Sequence, residues 1–401
     1  MRNILLSSSQ TATIIVFCVL CAVVLIVLFV TALKRKIRFK DKEERTKDKL
    51  LKAAEAGDAK AQCEIAHDYR YSESGKYLYW LEKAAAQDFE EAIRTLADEY
   101  NYGNEYTNPP IKKDREKAIF FLSKLADKGD VEAMKDCALL YAVEYNDETK
   151  SLEWQEKAAN AGDVESMEDV GIAYSVIPEI KDFEKSEYWF RKAIDAGSIN
   201  AIRYMGDLYY YFEDKEDYFK AENLYRRALS AGDNYAYVRL GDMCKEGKGL
   251  SKDETAAFEY YKKAADKDEV VGKIRVADCY INGVGVARDE KKAFEILSEI
   301  EQKSILSKYL LGLCYFNGTG TERDYGRAFK LFKESPGYDK NSLNKLGECY
   351  YFGYGVEADK EEAYKLWRKA VEYNSEQAAE NLKKYFNETP ENGIKEVTQG
   401  D

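Results

Sequence analysis

The stretch LGLCYFNGTGTERD, Leu311 to Asp324, lies without a gap over LGECYYFGYGVEAD, Leu346 to Asp359, and over VADCYINGVGVARD, Val276 to Asp289, each copy 35 residues from the next. Self-similarity at a fixed period of this size is the mark of a repeat architecture. The same phase runs backwards through a small residue at Ala61, Ala92, Ala133, Ser166, Ala201, Ala236, Gly272, Ser307 and Ser342. These nine positions define nine repeats, spaced from 31 residues (Ala61 to Ala92) to 41 (Ala92 to Ala133).

Counted from that small residue, positions +4, +5 and +8 read Met205, Gly206, Tyr209, then Val276, Ala277, Tyr280, then Leu346, Gly347, Tyr350. This is one apolar face of an α-helix, helix A of the repeat. Helix B carries a small residue followed four later by a bulky one: Ser186 and Phe190, Ala221 and Tyr225, Ala257 and Tyr261, Ala328 and Phe332, Ala363 and Trp367. An acid stands four residues before that small residue at Asp114, Asp147, Asp182, Asp217, Asp253, Asp289, Asp324 and Asp359, placed to accept from the free N–H groups of a helix start. Helix B ends at Gly57, Gly129, Gly162, Gly197 and Gly232, where a left-handed residue is cheap for glycine, and Asp58, Asp130, Asp163 and Asp233 follow as caps of the next helix A. Small residues at +5 let the two helices approach, and Tyr, Phe and Trp are expected to fill the gaps between successive hairpins. Each hairpin buries its stripe only against its neighbours, so the fold class is all-α: a right-handed α-solenoid of about nine helical hairpins with a concave face.

Outside the repeats the chain changes character. Ala12 to Leu33 (ATIIVFCVLCAVVLIVLFVTAL) is an uncharged run of 22 residues, about 33 Å as a helix, enough to cross a hydrocarbon core. A cleaved signal peptide has a shorter apolar region, so an anchoring transmembrane helix is the reading. Lys34, Arg35, Lys36, Arg38 and Lys40 follow the span and only Arg2 precedes it, which orients the repeats towards the cytoplasm. The organisation is a short segment 1–11, a transmembrane helix 12–33, a basic stem 34–49, a solenoid 50–386 ending in a capping helix from Ala378 to Phe386, and a disordered tail 387–401. The chain carries −12 in total; with +5 on the stem and +1 on Arg2, residues 50–401 carry −18. An acidic body on a basic stem suits an anionic membrane surface and excludes nucleic acid as a partner.

These residues resemble the Sel-one-like repeat family, relatives of tetratricopeptide repeats with a longer loop between the helices and a motif near A-x-x-x-L-G-x-x-Y-x-x-G-x-G-V-x-x-D. The match is closest in Gly272 to Asp359, where Gly283, Gly285, Val286 and Asp289, then Gly353, Gly355, Val356 and Asp359, stand as the motif requires. Towards the N-terminus the chain departs from it: the loop Asn101 to Lys113 is long, the loop near Tyr71 to Lys76 is short, and neither has the full G-x-G. The resemblance implies adaptor work at membrane or signalling complexes, with bacterial members often carrying a single N-terminal anchor. Secreted relatives with two cysteines per repeat have been linked to cell-wall compounds; here Cys63, Cys137, Cys244, Cys279, Cys314 and Cys349 occur one per repeat, which speaks against that branch and for a reducing compartment.

Little in the sequence supports an enzyme. His67 is the single histidine, expected as a partly exposed residue of the first helix A, and no triad partner accompanies it. The G-x-G pairs join two helices rather than a strand and a helix, so they read as turns and not phosphate loops. Cys279, Cys314 and Cys349 share position +7 and, about 10 Å apart on successive rungs, read as small core residues. No cofactor or metal is expected. Asn317 and Asn387 match N-x-T at the frequency chance allows. The 32 tyrosines cannot all be core, since Tyr209, Tyr210 and Tyr211 span more than one helix face.

The candidate site is a strip on helix A. Position +3 holds Tyr204, Arg239, Arg275, Leu310 and Lys345, and position +6 holds Asp207, Asp242, Asp278, Leu313 and Glu348. Facing the groove, Tyr and Leu would anchor a bound peptide or helix of a protein partner and the charges would set its register. The competing view makes Arg239 with Asp242, Arg275 with Asp278 and Lys345 with Glu348 simple i,i+3 pairs, each contributing about 0.2 to 0.5 kcal/mol. The function expected is a membrane-anchored scaffold at a bacterial inner membrane with cytoplasmic repeats. The alternative is an extracytoplasmic repeat protein handling envelope or quality-control clients, with glycan or peptidoglycan contact; a degenerate hydrolase is a distant third.

Overall fold

The computed structural model describes residues 45–335 and 340–387. The expected membrane span 12–33, the stem as far as residue 44 and the tail beyond residue 387 lie outside the described residues. Among those described, no helix is long and apolar enough to cross a membrane. Residues 45–55 are helical, and they pack Ala54, Leu50 and Leu51 against Ala61 and Ile65 of the first repeat.

The chain divides after Met167 into two compact units. In the first, helices A and B alternate as α1 (Ala59–Tyr69), α2 (Ser74–Ala85), α3 (Glu90–Tyr102), α4 (Arg115–Ala126), α5 (Val131–Val143) and α6 (Glu148–Asn160). Helix α7 (Val164–Val176) carries the chain into the second unit, which continues with α8 (Phe183–Asp195), α9 (Asn200–Tyr211), α10 (Tyr218–Ser230), α11 (Ala236–Glu246), α12 (Glu254–Asp266), α13 (Val270–Asn282), α14 (Glu290–Glu299), α15 (Ile305–Asn317), α16 (Tyr325–Glu334), α17 (Lys340–Phe352), α18 (Lys360–Glu372) and the capping helix α19 (Glu376–Phe386). Among the described residues there is no strand, only an isolated bridge between Asn104 and Ile111. Each unit is a stack of helical hairpins in which odd-numbered helices up to α17 are helix A and even-numbered ones helix B.

Local chemistry sets the boundaries. All eight helix B aspartates cap: the Asp114, Asp147, Asp182, Asp217, Asp253, Asp289, Asp324 and Asp359 carboxylates accept from the N–H three residues on at 2.9 to 3.0 Å. Such a cap is worth about 1 kcal/mol. For helix A, Asp58, Asp130 and Asp163 cap Ala61, Ala133 and Ser166, whereas Asp233 accepts only from the N–H of Tyr235, two residues on, and gives its other oxygen to Arg203, 2.7 Å away. Where the terminal glycine is missing after α2, α12 and α18, Asp88, Asp268 and Asn374 take the left-handed conformation instead, with φ near +60°.

Burial follows the repeat phase. The nine small residues from Ala61 to Ser342 are all buried. At +5, Gly171, Gly206, Gly241, Gly312 and Gly347 lie directly under Phe190, Tyr225, Tyr261, Phe332 and Trp367 of the following helix B; a Cβ on Gly206 would stand 2.6 Å from the Tyr225 ring. This corrects the expectation that those rings separate successive hairpins: they fill the inside of their own. The gap between hairpins belongs to the +8 tyrosines, which meet a phenylalanine of the preceding helix B edge-on, as in Phe258 with Tyr280, Phe294 with Tyr315 and Phe329 with Tyr350 at 5.3 to 5.6 Å. The rings take the T-shaped arrangement that their quadrupoles prefer.

The G-x-G loops do two jobs. The first glycine ends helix A in the left-handed conformation, Gly283 N–H returning to the Cys279 carbonyl at 2.8 Å. The second presses on the head of helix B in the preceding hairpin: a Cβ on Gly285, Gly320 or Gly355 would fall 1.9 to 2.1 Å from the carbonyl oxygen of Glu254, Glu290 or Tyr325. These loops are turns, as expected, and also the seams between repeats.

Candidate functional site

The ten strip residues all belong to the second unit, on α9, α11, α13, α15 and α17. Asp242 is buried and the other nine are half-buried. The charges run as a ladder between hairpins rather than along each helix. Arg239 crosses to Asp207 of the preceding hairpin, with Nη2 donating to Oδ2 at 3.0 Å and Nε 2.8 Å from Oδ1, while its own-helix Asp242 lies 3.7 Å away. Arg275 likewise reaches back, its Nε 3.5 Å from Asp242 Oδ1. Asp278 is met by Lys245 of the preceding helix A at 3.5 Å. Only Lys345 with Glu348, at 2.7 Å, follows the i,i+3 pattern closely. The physical reason is depth: a carboxylate on the hairpin interior needs donors from every packed side, and the neighbouring helix offers them at shorter range than the same helix does.

The helix B rings complete the ladder. Tyr225 and Tyr261 donate their hydroxyls to Asp207 and Asp242 Oδ1, both at 2.8 Å. Burial first, and the acceptor carboxylate second, push both phenols far above their ordinary range, so they remain donors at any working pH. Burial also pushes the Asp207 carboxyl up, with the Arg239 charge pulling it back in part. For Arg239 burial, the largest single effect, opposes the charge, but Asp207, Tyr211 and Tyr235 together outweigh it and hold the guanidinium above its ordinary value. Arg239 also donates to the Tyr211 hydroxyl at 3.2 Å and lies about 5.4 Å over that ring. Tyr211 is half exposed while Tyr209 and Tyr210 are buried.

Two clefts open beside this ladder. One, of about 250 Å³, is lined by Tyr204, Asp207, Tyr211 and Arg239 together with Val176 and Phe212. The other, of about 340 Å³, is lined by Arg275, Asp278, Leu310 and Leu313 with Ile281 and Leu306. Seven of the ten strip residues therefore line a cleft, Asp242 sits in the ladder that joins them, and Lys345 and Glu348 line neither. Leu306, 48% exposed, widens the apolar mouth of the second cleft and was missed by a reading confined to +3 and +6; it stands in the first turn of α15 beside Ile305, 57% exposed, just before the small residue Ser307.

The structure also brings His67 together with Cys63 and Glu91, their ligand atoms all within 4.8 Å of one another. The spacing Cys63-x-x-x-His67, which puts both on one helix face, was the available signal. The other thiols bear out the core reading: burial pushes Cys279 and Cys314 up to about 11 and Cys137 and Cys349 up to about 12, far from a reactive thiolate.

Comparison with known proteins places this geometry in context. The model of the Sel1 repeat matches residues 78–89, 91–130, 138–163, 165–198, 199–233, 234–269, 271–299, 305–335 and 341–375. Among solved structures, a Sel1 repeat protein from Oxalobacter formigenes is 23% identical, with 78% of this chain and 92% of that one covered and a TM-score of 0.46. The protein c5321, described as a protective antigen of uropathogenic Escherichia coli displaying an SLR fold, is 22% identical over 84% of this chain and 90% of that one, with a TM-score of 0.39. A sel1 repeat protein from Klebsiella pneumoniae is 21% identical over 50% of this chain and 98% of that one, with a TM-score of 0.33. No match is found among curated proteins.

Proposed function

The chain belongs to the Sel1 repeat family, and from that premise we propose that it is a membrane-anchored scaffold that recruits partner proteins along the helix A strip of its second unit. The observation that carries the reading is the cleft of α13 and α15, where Leu306, Leu310, Leu313 and Ile281 form an apolar recess with Arg275 and Asp278 beside it. An amphipathic helix or extended segment could seat one or two aliphatic side chains there and meet charge at the edge. The ladder modifies the expected division of labour. Arg239 and Asp207 already pair with each other, so the apolar walls and half-exposed Tyr211 provide the contact.

The uncharged run Ala12 to Leu33 supplies the anchor in this reading, with Lys34 to Lys40 keeping the repeats on the cytoplasmic side of a bacterial inner membrane. The −18 of residues 50–401 would be repelled by anionic headgroups, leaving the strip free to meet proteins.

The test is a photo-crosslinking residue placed in cells at Leu306 and, as control, at Phe219, an equally apolar and 73% exposed residue of helix B. A discrete membrane-associated adduct from position 306 alone, lost when Leu310 is changed to Glu, is the expected result. Adducts of equal strength from both positions, or none from either, would end the strip reading. Protease protection of a tag after Asp401 tests the orientation separately: cleavage in sealed cells would reverse it and favour envelope clients.

A further inference from the structure

Cys63 and His67 stand one turn apart on α1, and Glu91 is in the first turn of α3, the helix A of the next hairpin. Their Sγ, imidazole nitrogen and carboxylate oxygen all lie within 4.8 Å of one another. We propose that these three side chains form a Zn²⁺ site that ties the first hairpin to the second. The donor set is what zinc takes: thiolate, imidazole and carboxylate at roughly 2.0 to 2.3 Å, with a fourth position for water. Closing a triangle of this size around the ion needs shifts of about 1 Å, and the two side chains that must move are the exposed ones. Cys63, 2% exposed, forms the floor; His67 and Glu91 are exposed at the rim.

Three features of the surroundings favour a cation. Burial first, and the charges of Glu91 and Glu64 after it, push the free Cys63 thiol up to about 11, so the metal must itself displace the proton, as a coordinating cation does, and the two carboxylates add negative charge that favours one. Among the described residues no hydrogen bond or ion pair occupies the His67 imidazole or the Glu91 carboxylate, whereas most neighbours are engaged: Gln62 with Gln87 at 2.8 Å and Lys60 with Glu64 at 3.8 Å. The nearest aromatic ring, Tyr77, has its centroid 6.3 Å from that of His67, which leaves the imidazole room to turn. The site also meets a structural need. The G-x-G seam begins only in the loop after α11, and at the joint between the first two hairpins an ion shared between α1 and α3 would add a fastening of its own. The inference does not depend on the partner-binding reading, since all three ligands lie in the first unit.

Full-length protein freed of metal is titrated with Zn²⁺ in competition with a chromophoric chelator, and with Co²⁺ as a spectroscopic substitute. The expected result is one ion per chain, a thiolate-to-cobalt charge-transfer band that Cys63→Ser removes, and affinity at least tenfold lower in His67→Gln and in Glu91→Gln, both exposed positions whose change leaves the fold intact. Zinc should also slow amide exchange over residues 59–102 in the wild-type chain and not in His67→Gln. A titration that His67→Gln leaves unchanged would assign any bound zinc to the thiol alone and overturn the site, as would a stoichiometry well below one.

Discussion

The head of helix B is held by the loop of the next hairpin in both units, but by different chemistry. In the first unit α2 begins without a side-chain cap of its own, and its Ser74 N–H donates instead to the carbonyl of Asn108 in the long loop of the following hairpin, at 2.9 Å. That loop is braced by side chains, with Thr107 Oγ1 bonded to Asn104 and Ile111 and Asn104 reaching the buried Glu99. In the second unit the helix heads have their aspartate caps, the loops are short, and contact is made backbone to backbone through Gly285, Gly320 and Gly355. A hydrogen bond at a loop tip tolerates small displacements; a glycine against a carbonyl oxygen does not. The seams around the cleft of α13 and α15 are thus rigid, and the joint between the first two hairpins is adjustable.

The sharpest way to break this contrast is to add one methyl group. Gly285→Ala combines a left-handed φ of +67° with a Cβ 1.9 Å from the Glu254 carbonyl oxygen, and since both partners are backbone the hairpins must separate. A loss on the order of 3 to 5 kcal/mol is expected, from backbone strain of about 1 to 2 kcal/mol plus overpacking that nothing can relieve. Gly129→Ala, at φ +92° with open space around it, should lose only the strain, about 1 kcal/mol. Because a stack of repeats can open locally, the check is amide exchange through urea: residues 254–299 should lose protection in the first variant, while residues 115–160 lose little in the second. Equal losses would show that the seam carries no special weight.

The caps, the small positions and the helix faces of these hairpins were legible in the sequence because each depends on residues three or four apart. What stayed hidden depends on neighbours some 30 residues away. Nothing within α11 says that Arg239 prefers Asp207 to Asp242; that choice follows from the stacking of the two hairpins, which brings Asp207 of α9 closer to the guanidinium than the Asp242 of its own helix. The second glycine of G-x-G reads as half of a turn until the preceding helix head is seen against it. The left-handed roles of Asp88 and Asp268 were hidden because both residues are also ordinary surface acids. The strip was found at +3 and +6, yet Leu306 was missed because it precedes the first buried turn of its helix.

Charge offers the next comparison. Arg239 has a side chain 20% exposed and meets Asp207 and Asp242, which are 19% and 9% exposed. Arg239→Met keeps the length of the stem and leaves Asp207 with the Tyr225 hydroxyl and the more distant Arg203, so a cost of about 2 to 4 kcal/mol is expected. Adding Asp207→Asn should recover part of it, and a double-mutant cycle measured by urea unfolding isolates the coupling. In the first unit Lys135 bridges to Glu165, but those side chains are 31% and 70% exposed; Lys135→Met should cost under about 1 kcal/mol. If both substitutions cost the same, the ladder is a surface pair like any other.

The smallest expected effects come from the left-handed aspartates, one in each unit. Asp88, at φ +59°, has no ion pair that would reward an acid there among the described residues, so Asp88→Gly should relieve the backbone and stabilise by a few tenths to about 1 kcal/mol. Asp268, at φ +62°, instead lies 2.7 Å from Lys273 and 3.0 Å from Lys303. Hydrogen bonds from Lys273 first and Lys303 second hold its carboxyl down at about 2, below the ordinary value of 3.8. A folded pKa below the unfolded one means that this contribution is present above pH 3.8 and is lost as pH falls towards 2. Asp268→Gly therefore loses at neutral pH what the backbone gains, and should come out nearly neutral there. As pH falls through that window the wild type loses its ion pairs, so the variant should become the more stable of the two. Thermal unfolding of both variants between pH 2 and 7 reads this directly: if the Asp268→Gly curve runs parallel to wild type throughout, the two lysines do nothing for the joint between α12 and α13 that the backbone does not do alone.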